Sequence, residues 1–392
     1  MRVLHILPSL DQRSGGPLRA VLSLSFFGQA HGLTSEVVGV GEFSVSDNLL
    51  QASLIHSCSG QWPRSYSYCP RLRSWLGKNV KRFDGVVIHG MWSYPSLAAA
   101  QECIRCGVPY ACFPHGMLEP WAVSRQGWWK YFKKYVYWHL AEKRVFYNAE
   151  AALFATRRER EVAGLVLSLE CLSAVLPPFG VDTTDEMLTN LPSDRIVKAT
   201  VDKYVLFLGR IHPKKNLTFL LEAWAKAKIQ EGWQLVVAGP SEHGYLEELK
   251  HLTRFLKIDK DVTFLEFVFG DDKKYLLQNA QWLVLPSKQE NFGIVVLEAL
   301  QCGCPVAISD QVFLGDELQD CAATVRLEMA DWITFLGDKM GDEAYRCNCI
   351  KRGREVLFCN YNRETVAKLW VSALASLFRQ RRAPLGLLKD RR

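Results

Sequence analysis

The chain has 392 residues, of which 48% are hydrophobic and 23% are charged, and its formal net charge is +7. This length is too great for one ordinary hydrophobic core and fits two domains of about 150–200 residues each. The composition excludes a disordered or collagen-like chain, and no apolar stretch reaches the roughly 20 uncharged residues that cross a bilayer. Because Pro8 breaks the short apolar run at the start, we interpret residues 1–10 as a buried strand rather than a secretory signal and expect a cytoplasmic protein.

Net charge and cysteine content leave the class of partner open. A charge of +7 permits a nucleotide, a phospholipid surface or a nucleic acid. Twelve cysteines in a chain without an export signal favour reduced thiols over a disulfide framework. The CxxC pair Cys103 and Cys106 has no second element at a spacing that zinc requires. We therefore expect the cysteines to pack as small apolar side chains.

Short apolar runs alternate with segments of helical length along the whole chain, a pattern typical of parallel sheets covered by helices. In the first half, we predict helices at residues 17–30, 96–105 and 130–147 and strands at 3–7, 36–40, 86–89, 110–113, 152–155 and 174–176. The letters PPFGVD at 177–182 and the polar stretch after them predict a linker.

A second series of elements follows the linker. We predict strands at 205–208, 235–238, 262–265, 282–285 and 306–308, and helices at 217–228, 245–256, 272–279, 293–301 and 363–379. The predicted fold class is therefore α/β, with Rossmann-like domains at 1–185 and 186–365 and a C-terminal segment, 366–392, that crosses back to the first domain. Ligands bind beyond the carboxyl ends of the strands in such sheets, so we expect the two sheets to face each other across a shared cleft.

The segment LPSKQENFGIVVLEALQCGCPVAIS, residues 285–309, reads as a strand, a polar loop and an apolar helix. Unpaired N–H groups at the start of such a helix attract a diphosphate, and here they belong to Asn291, Phe292, Gly293 and Ile294. Glu290 precedes this start, and Glu298 follows it by about 7 Å at about 1.5 Å per residue. A nucleotide sugar laid across the helix start would place its hexose near Glu290 and its ribose near Glu298, where carboxylates accept hydrogen bonds from hydroxyls.

The alternative interpretation makes Glu298 a solvated residue of an amphipathic helix. Its neighbours at 294–297, 299 and 300 are apolar and leave that helix little polar face. A charge in such a helix needs a partner. We therefore favour a ligand role for Glu298.

Basic residues occupy another loop between a predicted strand and helix, in LFLGRIHPKKNLTFLLEA at 206–223. Arg210 offers a planar fork for phosphate oxygens, and Lys215 adds a compact charge that can reach the same anion. A solvated basic loop is the alternative. The glutamate segment in the same domain favours the functional interpretation.

Two loops of the first domain are weaker candidates. Gly15 and Gly16 follow the first strand and would let the backbone approach a ligand closely, although they could equally form an ordinary turn. His115 follows an apolar strand in YACFPHG, which would place it at the carboxyl end of the sheet. A buried histidine that only satisfies a hydrogen bond is the alternative there.

These segments together resemble glycosyltransferase family 4, a group of retaining enzymes with the two-Rossmann GT-B architecture. The resemblance is carried by Glu290 and Glu298 as an E-x7-E pair, by the loop from Arg210 to Lys215, and by PPFGVD at the linker. The run HGMLEPWA that begins at His115 resembles a bacterial subgroup that builds cell-surface polysaccharides. Phe179, where the family usually has Asn, departs from the pattern.

The resemblance implies a role for each matching residue. Arg210 and Lys215 would hold the diphosphate and stabilise its charge as the sugar leaves. Glu290 would hold hydroxyls of the donor sugar, Glu298 the ribose, and His115 would contact the sugar near the reacting carbon. The family needs no metal and no cofactor beyond the nucleotide diphosphate sugar. We accordingly expect Asp272 and its neighbour Asp271 to cap a helix rather than bind an ion.

We therefore expect a retaining glycosyltransferase whose first domain binds the acceptor and whose second domain binds the nucleotide sugar. It would move a hexose to a glycan or lipid-linked acceptor in the synthesis of lipopolysaccharide or exopolysaccharide. One alternative is a nucleotide-sugar epimerase or a phosphorylase of the same fold. Another is a non-catalytic protein that binds a nucleotide sugar.

A basic and aromatic segment runs from Arg125 to Arg144, RQGWWKYFKKYVYWHLAEKR. On a helix, Lys130, Lys133 and Lys134 would share one face, and another face would be lined by Trp129, Phe132, Val136 and Leu140. Such a helix suits the headgroup level of an anionic membrane, and packing of the aromatic rings into the first domain is the equal alternative. We expect no nucleic-acid partner, because the sequence contains no recognised nucleic-acid module.

Overall fold

The computed structural model describes residues 1–11, 16–43, 54–60, 66–118, 128–167, 173–181, 191–241, 244–318 and 321–379. The chain divides into two compact units, one of residues 1–180 with 363–392 and one of residues 181–362. The sequence analysis had placed these divisions after residues 185 and 365. Several predicted features lie outside the described residues: Gly15, the EPWA part of HGMLEPWA, residues 125–127, Asp182 and the basic tail from residue 380.

The first unit is built on a parallel sheet of seven strands. They are β1 (Arg2–Leu7), β2 (Thr34–Val40), β3 (Leu54–Cys58), β4 (Gly85–His89), β5 (Tyr110–Phe113), β6 (Ala151–Phe154) and β7 (Ser173–Val175). Their order in the sheet is β3-β2-β1-β4-β5-β6-β7, and every pairing is parallel. The central strands are buried along their length, as is usual for parallel sheets covered on both faces.

Helices of the first unit connect these strands. They are α1 (Gly16–Gly28), α2 (Pro70–Asn79), α3 (Tyr94–Cys106), α4 (Trp128–Tyr137), α5 (Lys143–Tyr147) and α6 (Arg157–Leu167). A π-helical turn, Trp138–Glu142, joins α4 to α5, so the single helix predicted at 130–147 is interrupted. Cys58, Cys69 and Cys103 lie within the core as expected, whereas Cys347 and Cys359 of the second unit are exposed, contrary to the expected packing role.

The second unit contains a parallel sheet of six strands in the order β10-β9-β8-β11-β12-β13. The strands are β8 (Lys203–Leu208), β9 (Trp233–Ala238), β10 (Val262–Leu265), β11 (Trp282–Leu285), β12 (Val306–Ser309) and β13 (Ala323–Val325). The helices are α7 (Asp194–Ala199), α8 (Leu217–Lys226), α9 (Tyr245–Phe255), α10 (Gly270–Asn279), α11 (Ile294–Gln301), α12 (Met329–Thr334) and α13 (Glu343–Val356). The strand order reverses between β8 and β11, which are hydrogen-bonded neighbours.

The last helix, α14 (Arg363–Arg379), belongs to the first unit and packs against α1. Its Trp370 donates an indole hydrogen bond of 2.8 Å to the Pro177 carbonyl. Its Phe378 ring lies against β4, where Gly85 leaves room for it: a Cβ atom on Gly85 would stand 2.2 Å from the ring. Among the described residues, no helix combines the length and the apolar character that crossing a bilayer requires.

All the strands predicted from the sequence are present, each within two residues of its predicted bounds. The sequence analysis missed β3 and β13, which are edge strands. β3 has the sequence LIHSC and is mostly not buried, and β13 is only three residues long. Neither offers the long apolar run by which a central strand is recognised. The α/β prediction of two Rossmann-like units is confirmed, and how their sheets face each other stays a prediction.

Glu142 is a buried carboxylate in the π-helical turn. Its Oε1 accepts hydrogen bonds from the Trp92 backbone N–H at 2.6 Å and from the Ser96 hydroxyl at 3.4 Å. Its Oε2 is buried and has no hydrogen-bond partner among the described residues. Burial raises the pKa of the Glu142 carboxyl from 4.5 to about 7, because the charged form is poorly solvated there.

We expect Gly85→Ala to lower the free energy of unfolding by about 1–3 kcal/mol, because the new methyl group overlaps the Phe378 ring and forces α14 to shift. Phe378→Leu should remove part of this penalty, so that the two changes are less than additive in a denaturant-unfolding cycle. Gly164→Ala on α6 is the control, since the space around Gly164 is open. Additive effects of the two changes would contradict the packing described here.

We expect Glu142→Gln to alter how stability depends on pH. The folded protein keeps a proton on Glu142 that the unfolded chain releases, so the free energy of unfolding falls as the pH rises from 4.5 to about 7. At about 1.4 kcal/mol per pH unit, Glu142 contributes a fall of roughly 3 kcal/mol. The difference between wild type and Glu142→Gln, measured by denaturant unfolding at pH 5 and pH 8, should change by that amount. Equal pH dependence in both proteins would contradict the burial of a proton-binding carboxyl.

Candidate functional site

The two motif loops of the second unit are neighbours because β8 and β11 are paired in parallel. The loop after β8 forms a short 3-10 turn at Pro213–Lys215, and Asn216 ends it with a left-handed φ of 63°. The loop after β11 joins it directly, since the Lys288 backbone N–H donates to the Lys214 carbonyl at 3.0 Å. The crevice at the carboxyl ends of these strands is therefore lined by both motifs.

Lys215 and Glu290 form a direct hydrogen-bonded ion pair between these two loops. The backbone of Glu290 is fixed from the loop after β12: its N–H donates to the Gln311 carbonyl at 3.1 Å, and its carbonyl accepts from the Phe313 N–H at 2.9 Å. The carboxylate is thus held by backbone pairing and by a cation. The sequence prediction that Lys215 and Glu290 share one site is consistent with this geometry.

The Glu290 carboxyl stays acidic although it is partly buried. Desolvation alone would raise its pKa, but Lys215, together with Lys214 and Arg210, holds that pKa below its usual value. Arg210 is therefore close enough to act on Glu290 electrostatically, although its side chain is exposed. Three cations therefore act on one carboxylate in the crevice at the carboxyl ends of these strands.

Gly293 starts α11 close to the Glu290 side chain. Its φ of 66° lies in the left-handed region, and a Cβ atom there would be 3.3 Å from Cγ of Glu290. Glycine adopts that conformation without the steric cost that other residues meet. The helix itself begins at Ile294, one residue later than predicted, with Asn291 and Phe292 preceding it.

Three polar atoms in the loop before α11 are buried and have no hydrogen-bond partner among the described residues. They are Oγ of Ser287, Oε1 of Gln289 and Oδ1 of Asn291. Leaving a buried polar group unsatisfied costs about 1–3 kcal/mol, so several of them in one loop are unusual. Together with the Lys215–Glu290 pair, they make this loop suited to a polar ligand.

Glu298 has a protein partner that the sequence analysis missed. Its Oε2 accepts a 2.7 Å hydrogen bond from Nζ of Lys273 on α10, and the glutamate is only 8% exposed. The prediction that this charge needs a partner was sound, but the partner in the structure is a lysine 25 positions earlier.

Neither Asp271 nor Asp272 occupies the predicted capping position of α10. The N-cap residue is Phe269, and both aspartates lie in the first turn of the helix, which begins at Gly270. The Asp272 carboxylate instead accepts from the backbone N–H of Ser193 at 2.7 Å and from its hydroxyl at 2.9 Å. It therefore anchors the segment that precedes α7.

His115 lies in the first unit, directly after β5, with a left-handed φ of 51°. Its Nε2 is 2.8 Å from Nδ1 of His89 at the end of β4. The turn is further fixed by Glu159 on α6, whose two carboxylate oxygens accept from the Gly116 N–H at 2.5 Å and the Ala155 N–H at 2.6 Å. The sequence analysis missed His89 and Glu159. A histidine inside the apolar strand VVIH was the available signal for the first of them.

Of the predicted glycine pair, Gly16 is the first residue of α1, which follows β1. Gly16 comes after β1 and His89 is the last residue of β4, and these two strands are paired neighbours in one sheet. These residues of the first unit share the carboxyl end of that sheet, as expected.

Two family models match the chain. Residues 31–164 match the "Glycosyl transferase 4-like domain", and residues 193–320 match "Glycosyl transferases group 1". Each match covers most of one structural unit. The second match includes Arg210, Lys215, Glu290 and Glu298.

Curated relatives match parts of the chain. An uncharacterized glycosyltransferase of Methanocaldococcus jannaschii is 39% identical over 28% of this chain and 27% of its own length. A D-inositol 3-phosphate glycosyltransferase of Nocardia farcinica is 30% identical over 52% of this chain and 48% of its own. An O-antigen chain mannosyltransferase B of Escherichia coli is 26% identical over 38% and 40%. The matched regions thus span no more than about half of these relatives.

Solved structures share the fold over almost the whole chain. Anabaena Alr3699/HepE in complex with UDP and glucose has a TM-score of 0.75 at 16% identity and covers 96% of this chain and 100% of its own. WaaG, a glycosyltransferase involved in lipopolysaccharide biosynthesis, has a TM-score of 0.70 at 17% identity and covers 94% and 99%. The chain therefore has the GT-B fold, and its two units are similar in sequence to a glycosyl transferase 4-like domain and to a group 1 glycosyl transferase domain, respectively.

Proposed function

We propose that this protein is a retaining glycosyltransferase that moves a hexose from a nucleotide diphosphate sugar to a glycan or lipid-linked acceptor. The observation that carries the proposal is the ion pair of Lys215 and Glu290 at the point where the strand order of the second sheet reverses. Ligands of open α/β sheets bind at such a point. HepE, the structural neighbour, has been crystallised with UDP-glucose, and the proposed ligand belongs to the same chemical class.

The proposed donor site uses the charges of the crevice in two ways. Lys215 and Arg210 bind the diphosphate, whose charge the N–H groups from Asn291 to Ile294 also attract. Glu290 accepts hydrogen bonds from hydroxyls of the hexose. Because Lys215 already pairs with Glu290, it can contact a phosphate oxygen while it keeps the carboxylate oriented.

Glu298 is proposed to accept hydrogen bonds from the ribose hydroxyls. Its ion pair with Lys273 uses one carboxylate oxygen, Oε2. A carboxylate offers about four lone-pair sites, so one carboxylate can accept hydrogen bonds from a lysine and from a ribose together. Lys273 would then fix the carboxylate before the ligand arrives and lower the cost of ordering it.

In the proposed reaction, the bond between the anomeric carbon and the diphosphate oxygen breaks, and the diphosphate takes the bonding electrons. An acceptor hydroxyl forms the new bond to that carbon from the same face and gives its proton to the leaving phosphate oxygen. Lys215 and Arg210 stabilise the charge that develops on the diphosphate. The cations thereby supply the stabilisation that a metal ion would provide, and we expect transfer without a metal.

His115, Gly15 and Gly16 complete the proposal from the first unit. His115 would donate or accept a hydrogen bond at the hexose near the reacting carbon. The two glycines would let the backbone approach a ligand.

The acceptor is proposed to belong to cell-surface polysaccharide synthesis. The motif HGMLEPWA supports this assignment by its resemblance. One relative is named for the O-antigen chain and one structural neighbour for lipopolysaccharide biosynthesis.

An anionic membrane is proposed as the surface on which a lipid-linked acceptor is met. On α4 and the turn after it, Phe132, Tyr135 and Leu140 are 49%, 53% and 73% exposed, and Lys133 is exposed beside them. Trp138 from the same segment is buried in the core instead. Some aromatic residues of this segment therefore pack into the core and others are exposed. The exposed apolar side chains lie close to a cation in the sequence. Such a face suits the headgroup region.

We expect Lys215→Met to lower kcat by about 10²–10³-fold, because one preorganised stabilising charge is removed from the leaving group. Glu298→Gln should mainly raise the KM for the donor, by about 10-fold or more, through loss of a charge-assisted hydrogen bond. Transfer is followed by NMR of the product anomer with EDTA present throughout. Unchanged kinetics in both variants would refute the site, and loss of wild-type turnover in EDTA would refute metal independence.

The matched controls are Lys250→Met and Glu247→Gln, which break an exposed ion pair of 2.7 Å in the same unit. Neither should change turnover.

The rival functions predict different experimental results. A non-catalytic protein would bind nucleotide sugars in a thermal-shift assay without transfer to any acceptor. An epimerase would return an isomerised nucleotide sugar, and a phosphorylase would show the absorbance of a pyridoxal cofactor.

We expect the wild-type protein to float with phosphatidylglycerol vesicles at low salt and to be released as the ionic strength rises. The double variant Phe132→Ser, Leu140→Ser should remain at the bottom of the gradient. Leu165→Ser on α6, where the leucine is 87% exposed, is the control for removal of an exposed apolar side chain. If neither wild type nor variant binds these vesicles, the membrane proposal is wrong.

A further inference from the structure

Three histidine rings form a continuous hydrogen-bonded line across the first sheet. His5 comes from β1 and His89 from β4, and His115 follows β5; these three strands are successive neighbours in the sheet. Nδ1 of His5 is 3.0 Å from Nε2 of His89, and Nδ1 of His89 is 2.8 Å from Nε2 of His115. The ring centroids are 5.2 and 5.1 Å apart, so the rings meet edge to edge through these nitrogens. We call these residues the histidine line.

The rings of the histidine line are neutral. Burial lowers the pKa of His5 and of His115 to about 3, because the imidazolium form loses its solvation there. Burial, with the neighbouring rings, also holds the pKa of His89 well below its usual value. A neutral imidazole has one N–H donor and one acceptor nitrogen.

The two hydrogen bonds force a common tautomer on the three rings. Each bond joins Nδ1 of one ring to Nε2 of the next. If His115 carries its proton on Nε2, it donates to Nδ1 of His89, which must then donate from its own Nε2 to His5. If His115 accepts at Nε2, all three protons are on Nδ1. A mixed arrangement places two protons or two lone pairs face to face in at least one bond.

The inner end of the line distinguishes the two arrangements. Nε2 of His5 is buried and has no hydrogen-bond partner among the described residues. With all protons on Nε2, this atom would be a buried N–H without an acceptor; among backbone groups, a buried donor is left unsatisfied more rarely than a buried acceptor. With all protons on Nδ1, only a lone pair is left without a partner. The second arrangement is therefore favoured.

We propose that His5 and His89 are positioning residues that hold His115 as the Nδ1–H tautomer, so that its Nδ1 donates a hydrogen bond to an oxygen of the bound sugar. Phe113, stacked on His115 with a centroid distance of 4.0 Å, fixes the same ring from another side. The identity of the ligand rests on the proposed function, whereas the tautomer does not.

The tautomer can be read directly by long-range ¹H–¹⁵N NMR of protein labelled at histidine, with signals assigned by single His→Phe substitutions. We expect His5, His89 and His115 all to show a protonated Nδ1 and an unprotonated Nε2. A protonated Nε2 on His115 would overturn the proposed direction. Different tautomers among the three rings would overturn the line itself. This reading needs only the wild-type fold, so it stands even where a variant does not fold.

The variant His89→Phe keeps a flat ring between its neighbours but removes both hydrogen bonds. We expect the nitrogen signals of His115 to move toward the averaged values of a tautomer mixture and kcat/KM for the donor to fall about fivefold, the factor that one net hydrogen bond supplies. His5→Phe should produce the same spectroscopic change to a smaller extent. An unchanged His115 tautomer in both variants would show that the line does not set it.

The control is His56→Phe in the same unit, because His56 is bonded to Glu36 and lies outside the line. It should change neither the His115 signals nor kcat/KM. The Nδ1–H tautomer without any sugar transfer by wild type would overturn the proposed function and leave the line intact. Transfer by wild type with a protonated Nε2 on His115 would overturn the proposed direction of the line and leave the proposed function intact.

Discussion

The parallel pairing of β8 with β11 is the constraint on which the candidate site depends. These strands are far apart in sequence but adjacent in the sheet, and the crossover connections leave in opposite directions on either side of them. The loops that follow them are therefore held next to each other by the sheet. The ion pair of Lys215 and Glu290 can form only because the backbone has already brought its two loops together.

Charge balance then determines what this crevice can bind. Nearby cations stabilise the ionised form of a partly buried carboxylate such as Glu290, and Lys215 hydrogen-bonds to it directly. Glu298 is held in the same way by Lys273. Both carboxylates are thus oriented before any ligand arrives, so less ordering is required on binding. A ligand that is anionic at one part and rich in hydroxyl groups at another matches the cations and the carboxylates together.

The sequence was sufficient for the features that follow from local patterns. The central strands were predictable because their apolar runs are long, and the paired glutamates because Glu290 and Glu298 flank a recognisable helix start. Lys273 was not predictable, since its contact with Glu298 depends on how α10 packs beside α11. His5 and His89 were missed for the same reason: each lies within an apolar strand, and only the order of the sheet places them beside His115.

The position of α14 has a consequence for how the chain is made. The second unit is a continuous segment, residues 181–362, whereas the first needs residues from both ends of the chain. During synthesis, which proceeds from the N-terminus at about 5–20 residues per second, the second unit can acquire its full set of contacts first. Until α14 leaves the ribosome, the surface of α1 and the space beside Gly85 on β4 stay uncovered. Synthesis of the first unit therefore begins before that of the second unit but is completed after it.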